Sequence, residues 1–215
     1  MWQTIVSVRS WHIRKTPMKK FPDNPIGRVF GYSEESEIIA TVSLAFQFWD
    51  LVATPFIPEF SSPIMLGHHI SAALVSYFAL QYQYYHYYVV FFLALTEVSS
   101  IPLVIMSLCK YYPPAPGSMQ ETIQGVAGPL FAVTFGYYRV FLWIKITRQL
   151  WSDGIHVLSK GIAEQYRPGK SFALYIILLI SALLTVLQLF WFSLIITEAL
   201  KQAGFEVPDI NPGFE

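Results

Sequence analysis

Charge is scarce in this chain. Charged residues make up 13% of its 215 positions, about half the share of a soluble domain. The 14 Lys and Arg balance 14 Asp and Glu, so no net field steers a charged polymer toward it. Cysteine is nearly absent: Cys109 is the only one, which excludes an internal disulfide and a thiolate metal site. No Gly-rich phosphate loop, nucleophile elbow or HExxH stands in the sequence, and no repeat of about 20–50 residues is visible. What is there is apolar. Hydrophobic residues reach 54% and aromatic ones 17%, with a mean hydropathy of +0.45. Together these figures exclude a disordered chain and a nucleic-acid binder, and they argue against an ordinary water-soluble enzyme. The length fits one domain.

Long apolar runs set the architecture, because about 20 apolar residues cross the hydrocarbon core. Five are legible: Ile38 to Ile57, Pro63 to Tyr82, Tyr87 to Cys109, Gly125 to Ile146, and Phe172 to Ala199. Pro55, Pro58 and Pro63 punctuate the first connection, and Tyr111-Tyr112-Pro113-Pro114-Ala115-Pro116-Gly117 is a stiff turn. The expectation is an all-α, multi-pass transmembrane bundle of about five spans. Residues 1–37 form a basic tail, 38–200 the membrane domain and 201–215 a polar tail.

Five spans place the N-tail, the loop at 83–86 and a polar, basic loop at 148–170 on one side. That side carries Arg9, Arg14, Lys15, Lys19, Lys20, Arg28, Arg148, Lys160, Arg167 and Lys170, against Lys110 and Lys201 opposite. The bias directs the N-terminus to the cytosol or the matrix. Tyr82, Tyr84, Tyr85, Tyr87 and Tyr88 read as an interfacial aromatic belt. The first 22 residues hold five basic residues and no acid. They lack the apolar core of a secretory signal and have the composition of a mitochondrial targeting segment, or of a positive-inside tail.

Ionisable groups at membrane depth are costly and face a bundle interior or cavity. Asp50, the pair His68 and His69, Glu97 and Arg139 stand out. Counting residues from the span ends puts Asp50 and the histidines roughly 8–10 Å below the basic-poor surface. Glu97 and Arg139 lie roughly 12–15 Å from the basic side. Asp50 can therefore meet one histidine, and Glu97 can meet Arg139. Each pair reads either as a structural contact or, for Asp50 with a histidine, as an acid/base couple in which the carboxylate orients the imidazole. Adjacent histidines point about 100° apart on a helix, so at most one serves a given substrate. They cannot share one ion, and five histidines in all are too few for a membrane di-iron centre. No metal or other cofactor is expected. Ser99 and Ser100 read as a small-residue helix contact.

The order of these features resembles the TLC-domain family, which includes ceramide synthases, translocon-associated proteins and several lipid-homeostasis proteins. The stretches that carry the resemblance are Phe46-Gln-Phe-Trp-Asp-Leu51, Gly67-His-His-Ile70, Thr96-Glu-Val-Ser-Ser100, Phe135-Gly-Tyr-Tyr-Arg139 and Leu187-Gln-Leu-Phe-Trp-Phe192. Ile5-Val-Ser-Val8 resembles a remnant of the family's first helix, truncated by the basic, proline-bearing stretch from Trp11 to Pro25. The resemblance covers about residues 5–200. It implies a helical bundle open to the bilayer, with the histidines facing a lipid-sized cavity. Ceramide synthases also carry a His-Asp pair on the helix after the paired histidines. Here the corresponding positions are Thr96 and Glu97, which argues against sphingoid N-acylation and aligns the chain with the shorter, Glu-bearing members tied to membrane lipid composition.

Three functions are then weighed. The first is lipid binding or regulation, with membrane lipids as partners and a polar pocket of Asp50, His68, His69, Glu97, Ser99 and Arg139. The second is an acyltransferase, with His68 or His69 as base and Asp50 as its orienter. The third is an accessory subunit of a large mitochondrial inner-membrane complex, holding structural lipid. The family points to the endoplasmic reticulum, and the tail's composition to the mitochondrion.

Overall fold

The computed structural model describes residues 21–57 and 61–206. The Ile5-Val-Ser-Val8 segment, Pro58, the tail up to residue 20 and the end of the C-tail lie outside them. Every regular element among the described residues is helical. Five helical stretches are long and apolar enough to cross a membrane: Glu34–Phe56, Pro63–Tyr82, His86–Tyr111, Met119–Ser159 and Ser171–Gln202.

Local chemistry fixes most of the boundaries. Helix α1, Pro25–Phe30, starts with Asn24 accepting from the Gly27 N–H at 2.8 Å and with Pro25 in the first turn, where no N–H is needed. Helix α2, Glu34–Ala53, is capped by Ser33 and carries Glu34, Glu35 and Glu37 in its first turn, where the helix dipole favours acids. It ends in a tight turn, Thr54–Phe56, around Pro55. Ser62 and Pro63 start α3, Pro63–Tyr82, which runs back alongside α2.

The return from α3 is unusual. Gln83 and Tyr85 take left-handed φ values of 52° and 61° without being glycine, a costly conformation that neighbours must enforce. The Tyr85 N–H donates to the Val29 carbonyl at 2.8 Å. Arg167 donates to the Tyr82 carbonyl at 3.1 Å and to the Gln83 amide oxygen at 3.2 Å. The N-terminal segment and the segment after the fourth span thus clamp this turn from two directions.

The third span is not one helix. Helix α4, His86–Phe92, gives way to a tight 3₁₀ turn at Leu95–Val98 before α5, Ser100–Tyr111. The fourth begins as α6, Met119–Phe135, capped by Ser118 with Glu121 reaching back to the Gly117 N–H. It passes through a π-helical segment, Gly136–Leu142, into α7, Trp143–Ser159. A short α8, Ile162–Tyr166, leads to α9, Ser171–Gln202, whose 32 residues span roughly 48 Å at about 1.5 Å per residue. Near its start the exposed Glu164 carboxylate accepts from the Gly169 N–H and the Ser171 hydroxyl, which hold its pKa below the ordinary range.

Two expectations need correction. The polar stretch 148–170 is not a loop, since helix continues through Ser159. Its polar residues are one face of an amphipathic helix. The other face buries Ile146, Leu150, Asp153, Gly154 and Val157 at the three- and four-residue spacing of a helix. Three of the five tyrosines expected at the interface are instead buried, with Tyr82 and Tyr87 half-buried. Tyr84, Tyr85 and Tyr88 are 0%, 3% and 1% exposed. They pack on one another and on Phe30 at ring separations of 5.7–6.4 Å, because the left-handed turn drives the rings inward.

A buried ionic clamp joins the N-terminal segment to the fourth span. Arg28 donates to both Asp153 oxygens, at 2.6 and 2.8 Å, and to Asp23 at 2.6 Å. The Tyr88 hydroxyl also donates to Asp153. Asp153 is buried, and these three contacts, two from Arg28 and one from Tyr88, are made inside the protein, which is the condition under which a buried charge is tolerated. Gly154 follows it because α7 lies too close for a side chain: a Cβ there would meet the Tyr85 oxygen at 2.6 Å and Leu178 at 3.0 Å.

Candidate functional site

The breaks in the third and fourth spans face each other, and between them lies a polar cluster. At the 3₁₀ turn and the start of α5, the Thr96 carbonyl, the Glu97 carboxylate and the Ser99 and Ser100 hydroxyls all come to one side. The π segment, whose extra residue per turn re-aims side chains, delivers Arg139 to them. Its Nε donates to Ser99 Oγ at 2.9 Å and to the Thr96 carbonyl at 3.3 Å. Its Nη2 donates to Glu97 Oε1 at 3.1 Å and Ser100 Oγ at 3.2 Å. Ser100 in turn donates to the second Glu97 oxygen at 2.7 Å. The guanidinium also lies 5.7 Å from the Phe135 ring centre. Gly136 opens the segment and lets α9 approach, since a Cβ there would stand 3.1 Å from Phe192.

The adjacent histidines part, as helix geometry requires. His69 turns to α2, where its Nδ1 lies 2.8 Å from Gln47 Oε1 and 3.4 Å from Asp50 Oδ2. Gln47 and Asp50 are three residues apart and share a helix face. His68 turns the other way, its ring 5.2 Å from Trp191 of α9 and its Nδ1 buried without a hydrogen-bond partner. His86 is a third buried histidine with a structural task. It tethers the start of α2 to α3 by accepting from the Ser33 N–H at 3.3 Å and meeting the Ala79 carbonyl at 3.0 Å.

A cavity of about 610 Å³ opens from this cluster into the bundle. His68, Glu97, Ser100, Arg139 and Gln188 give it polar groups, and its wall is otherwise largely apolar, with Ala72, Val75, Phe92, Leu93 and Leu184 among the lining residues. Gln188 is 1% exposed, and neither its amide oxygen nor its nitrogen has a partner.

The six residues anticipated as a pocket therefore gather at one end of the bundle, but only His68, Glu97 and Arg139 line the cavity. Asp50, His69 and Ser99 stand behind that wall. Gln47, Ser100, Gln188 and Trp191 were not anticipated as site residues. Gln188 had a signal: it is the one amide between Ser171 and Ala199, in the longest apolar run. Among the described residues no three His, Cys, Asp or Glu side chains gather as metal ligands.

Comparison with known proteins identifies the chain at the level of family. No curated protein and no solved structure matches the chain. The profile of the TLC domain matches residues 1–197, nearly the full length and every stretch that builds the cluster and the cavity. With five apolar spans and a multi-pass membrane domain recognised across them, the chain is an integral membrane protein that belongs to the TLC-domain family.

Proposed function

We propose that the chain binds, and through binding regulates, a membrane lipid, whose acyl chain occupies the cavity and whose polar end rests at His68, Gln188 and the Glu97–Arg139 pair. The observation that carries this reading is the cavity: apolar over most of its wall, polar at one end, and enclosed by helices that cross the membrane. Its volume of about 610 Å³ lies within the roughly 300–1,000 Å³ of small-molecule sites. The arrangement supports binding over acyl transfer. A general base needs its proton acceptor at the substrate and its orienting partner behind it. Here the carboxylate, Asp50, accompanies His69, while the histidine on the cavity wall is His68. The acid-free basic tail favours a mitochondrial inner-membrane setting, in which the same pocket serves an accessory subunit.

The test is lipid analysis of the full chain extracted in mild detergent, as parent and as Gln188→Leu. The parent retains about one lipid per chain. The variant loses an amide that is unpaired without ligand, so it melts higher, by about 1–3 kcal/mol of stability, yet retains lipid roughly fivefold less well. Equal retention by the two forms overturns the pocket reading. A native gel of the same extract then shows whether the chain migrates alone or within a large complex.

A further inference from the structure

The charges on α7 divide sharply. Its only acid, Asp153, is buried and held by Arg28 and Tyr88. Its cations Lys145 and Arg148 are exposed and, among the described residues, have no hydrogen-bond or ion-pair partner. They stand three residues apart and so share a helix face. The neighbouring α9 offers them no acid. Its one carboxylate is Glu198, thirteen residues beyond Thr185 and so roughly 20 Å farther along the helix. Two uncompensated cations thus stand on a face of the bundle.

Arg148 also lines a second hollow, separate from the cavity. It is an open groove between α7 and α9, lined by Thr147, Arg148, Trp151 and Ser152 from the first helix and by Ala182 and Thr185 from the second. None of these residues lines the cavity. Two indoles stitch the helices together here. Trp143 Nε1 donates to Thr185 Oγ1 and Trp151 Nε1 to Ser181 Oγ, each at 2.9 Å, so the groove is a fixed feature of the packing. Arg148 stands two residues past Ile146, where the apolar run of the fourth span ends on the basic side. That level is the boundary between lipid head groups and acyl chains. Beside Ala182, the exposed side chains of Leu179, Leu183 and Val186 form an apolar strip along α9.

Basic pockets between membrane helices on the positive side take acidic lipid head groups. We infer that the groove between α7 and α9 is a second lipid site, for a phospholipid of net negative charge. Arg148 holds the phosphate, and Ser152, exposed one turn on, offers it a hydroxyl. Lys145 adds attraction from the preceding turn, and an acyl chain lies along the α9 strip. A zwitterionic head brings an ammonium beside two cations, with no acid on the groove face of either helix to receive it. The site is independent of what fills the cavity.

The test offers the full chain, in mild detergent, equal amounts of phosphatidylglycerol and phosphatidylcholine with identical acyl chains, and resolves the bound species by native mass spectrometry. The anionic lipid is expected to win by about tenfold, from two basic residues at the head-group level. Arg148→Gln lowers that ratio to about twofold and leaves the melting midpoint unchanged, because the side chain holds nothing in the protein. Ala182→Leu fills the groove, keeps both charges and lowers the ratio as well. Lys160→Gln removes the same charge from the end of the same helix and leaves the ratio at the parent value. Absence of an anionic preference in the parent overturns the inference. So does a preference that survives Arg148→Gln or Ala182→Leu. An equal loss in Lys160→Gln overturns it in favour of diffuse surface charge, and an equal loss in Gln188→Leu overturns it by tracing the preference to the cavity.

Discussion

At the end of the bundle that carries Arg28 and Asp153, side chains are packed to exclusion. Val29, Tyr84, Tyr88, Phe91, Val157 and Leu174 are essentially inaccessible, and the one charged group at their centre has every strong contact it needs. Toward the opposite surface, α5 buries only Pro102 and α6 only Ala127 and Phe135. The polar side chains there gather around a cavity and leave some groups unpaired. The comparison teaches a division of labour. Without a hydrophobic drive between helices in lipid, stability comes from close packing and hydrogen bonds, which this fold concentrates at one end. Toward the other end the helices part around the cavity, whose wall still includes Tyr84, Tyr88 and Leu150 of the packed end. The TLC-domain profile extends across both.

The sharpest way to break the comparison is at the clamp. Asp153→Ala leaves Arg28 buried without its carboxylate, and loss of one partner of a buried pair costs about 3–5 kcal/mol. Thermal unfolding in detergent checks it: the variant melts far below the parent or fails to accumulate folded. A milder probe of the same end is Gly154→Ala. Overpacking against Tyr85 and Leu178 costs about 1–3 kcal/mol, more than the roughly 1 kcal/mol that alanine gains in a helix. The penalty shrinks in a Tyr85→Phe background, because the oxygen that a Cβ would meet at 2.6 Å is absent. A double-mutant cycle of melting midpoints reads this coupling directly.

The smallest effect on stability is expected at the cavity end. Glu97 is 42% exposed although its partner Arg139 is 12% exposed, and a half-exposed ion pair is worth about 0–1 kcal/mol. Arg139 also keeps Ser99, Ser100 and the Thr96 carbonyl. Glu97→Gln therefore melts close to the parent while weakening lipid retention, as judged by mass spectrometry of the extracted chain. A large drop in melting midpoint at Glu97 would show that both ends carry the fold.

Much of this was legible in the sequence because it depends on one-dimensional counts. Span number follows from apolar run length. The Glu97–Arg139 and Asp50–His69 contacts follow from matched depth, since helices that cross the same layer meet at the same level. The divergence of His68 and His69 follows from the angle between neighbours on a helix. Sequence reasoning left open which histidine would face the cavity, because that depends on how α3 is rotated against α2 and α9. It misread Tyr84, Tyr85 and Tyr88 for a related reason. An aromatic cluster beside a turn looks the same whether the rings point to the interface or inward, and only the left-handed turn at Gln83 and Tyr85, held by Val29 and Arg167, turns them in. The stretch at 148–170 was misread because its charges outweigh its apolar face in any average, though its helical period was present.

The sequence by itself determined that this protein lies in a membrane, that it has five apolar spans and which ionisable groups fall within them. These are properties of composition and spacing along each helix. Only the tertiary structure decided that two interrupted spans face each other beside a cavity, that Gln188 belongs to its wall with its amide unpartnered, and that Asp153 rather than any anticipated group sits at the centre of the buried clamp. Those outcomes depend on helix rotation and on where the 3₁₀ and π segments break the regular repeat, and neither is fixed until the helices pack against one another.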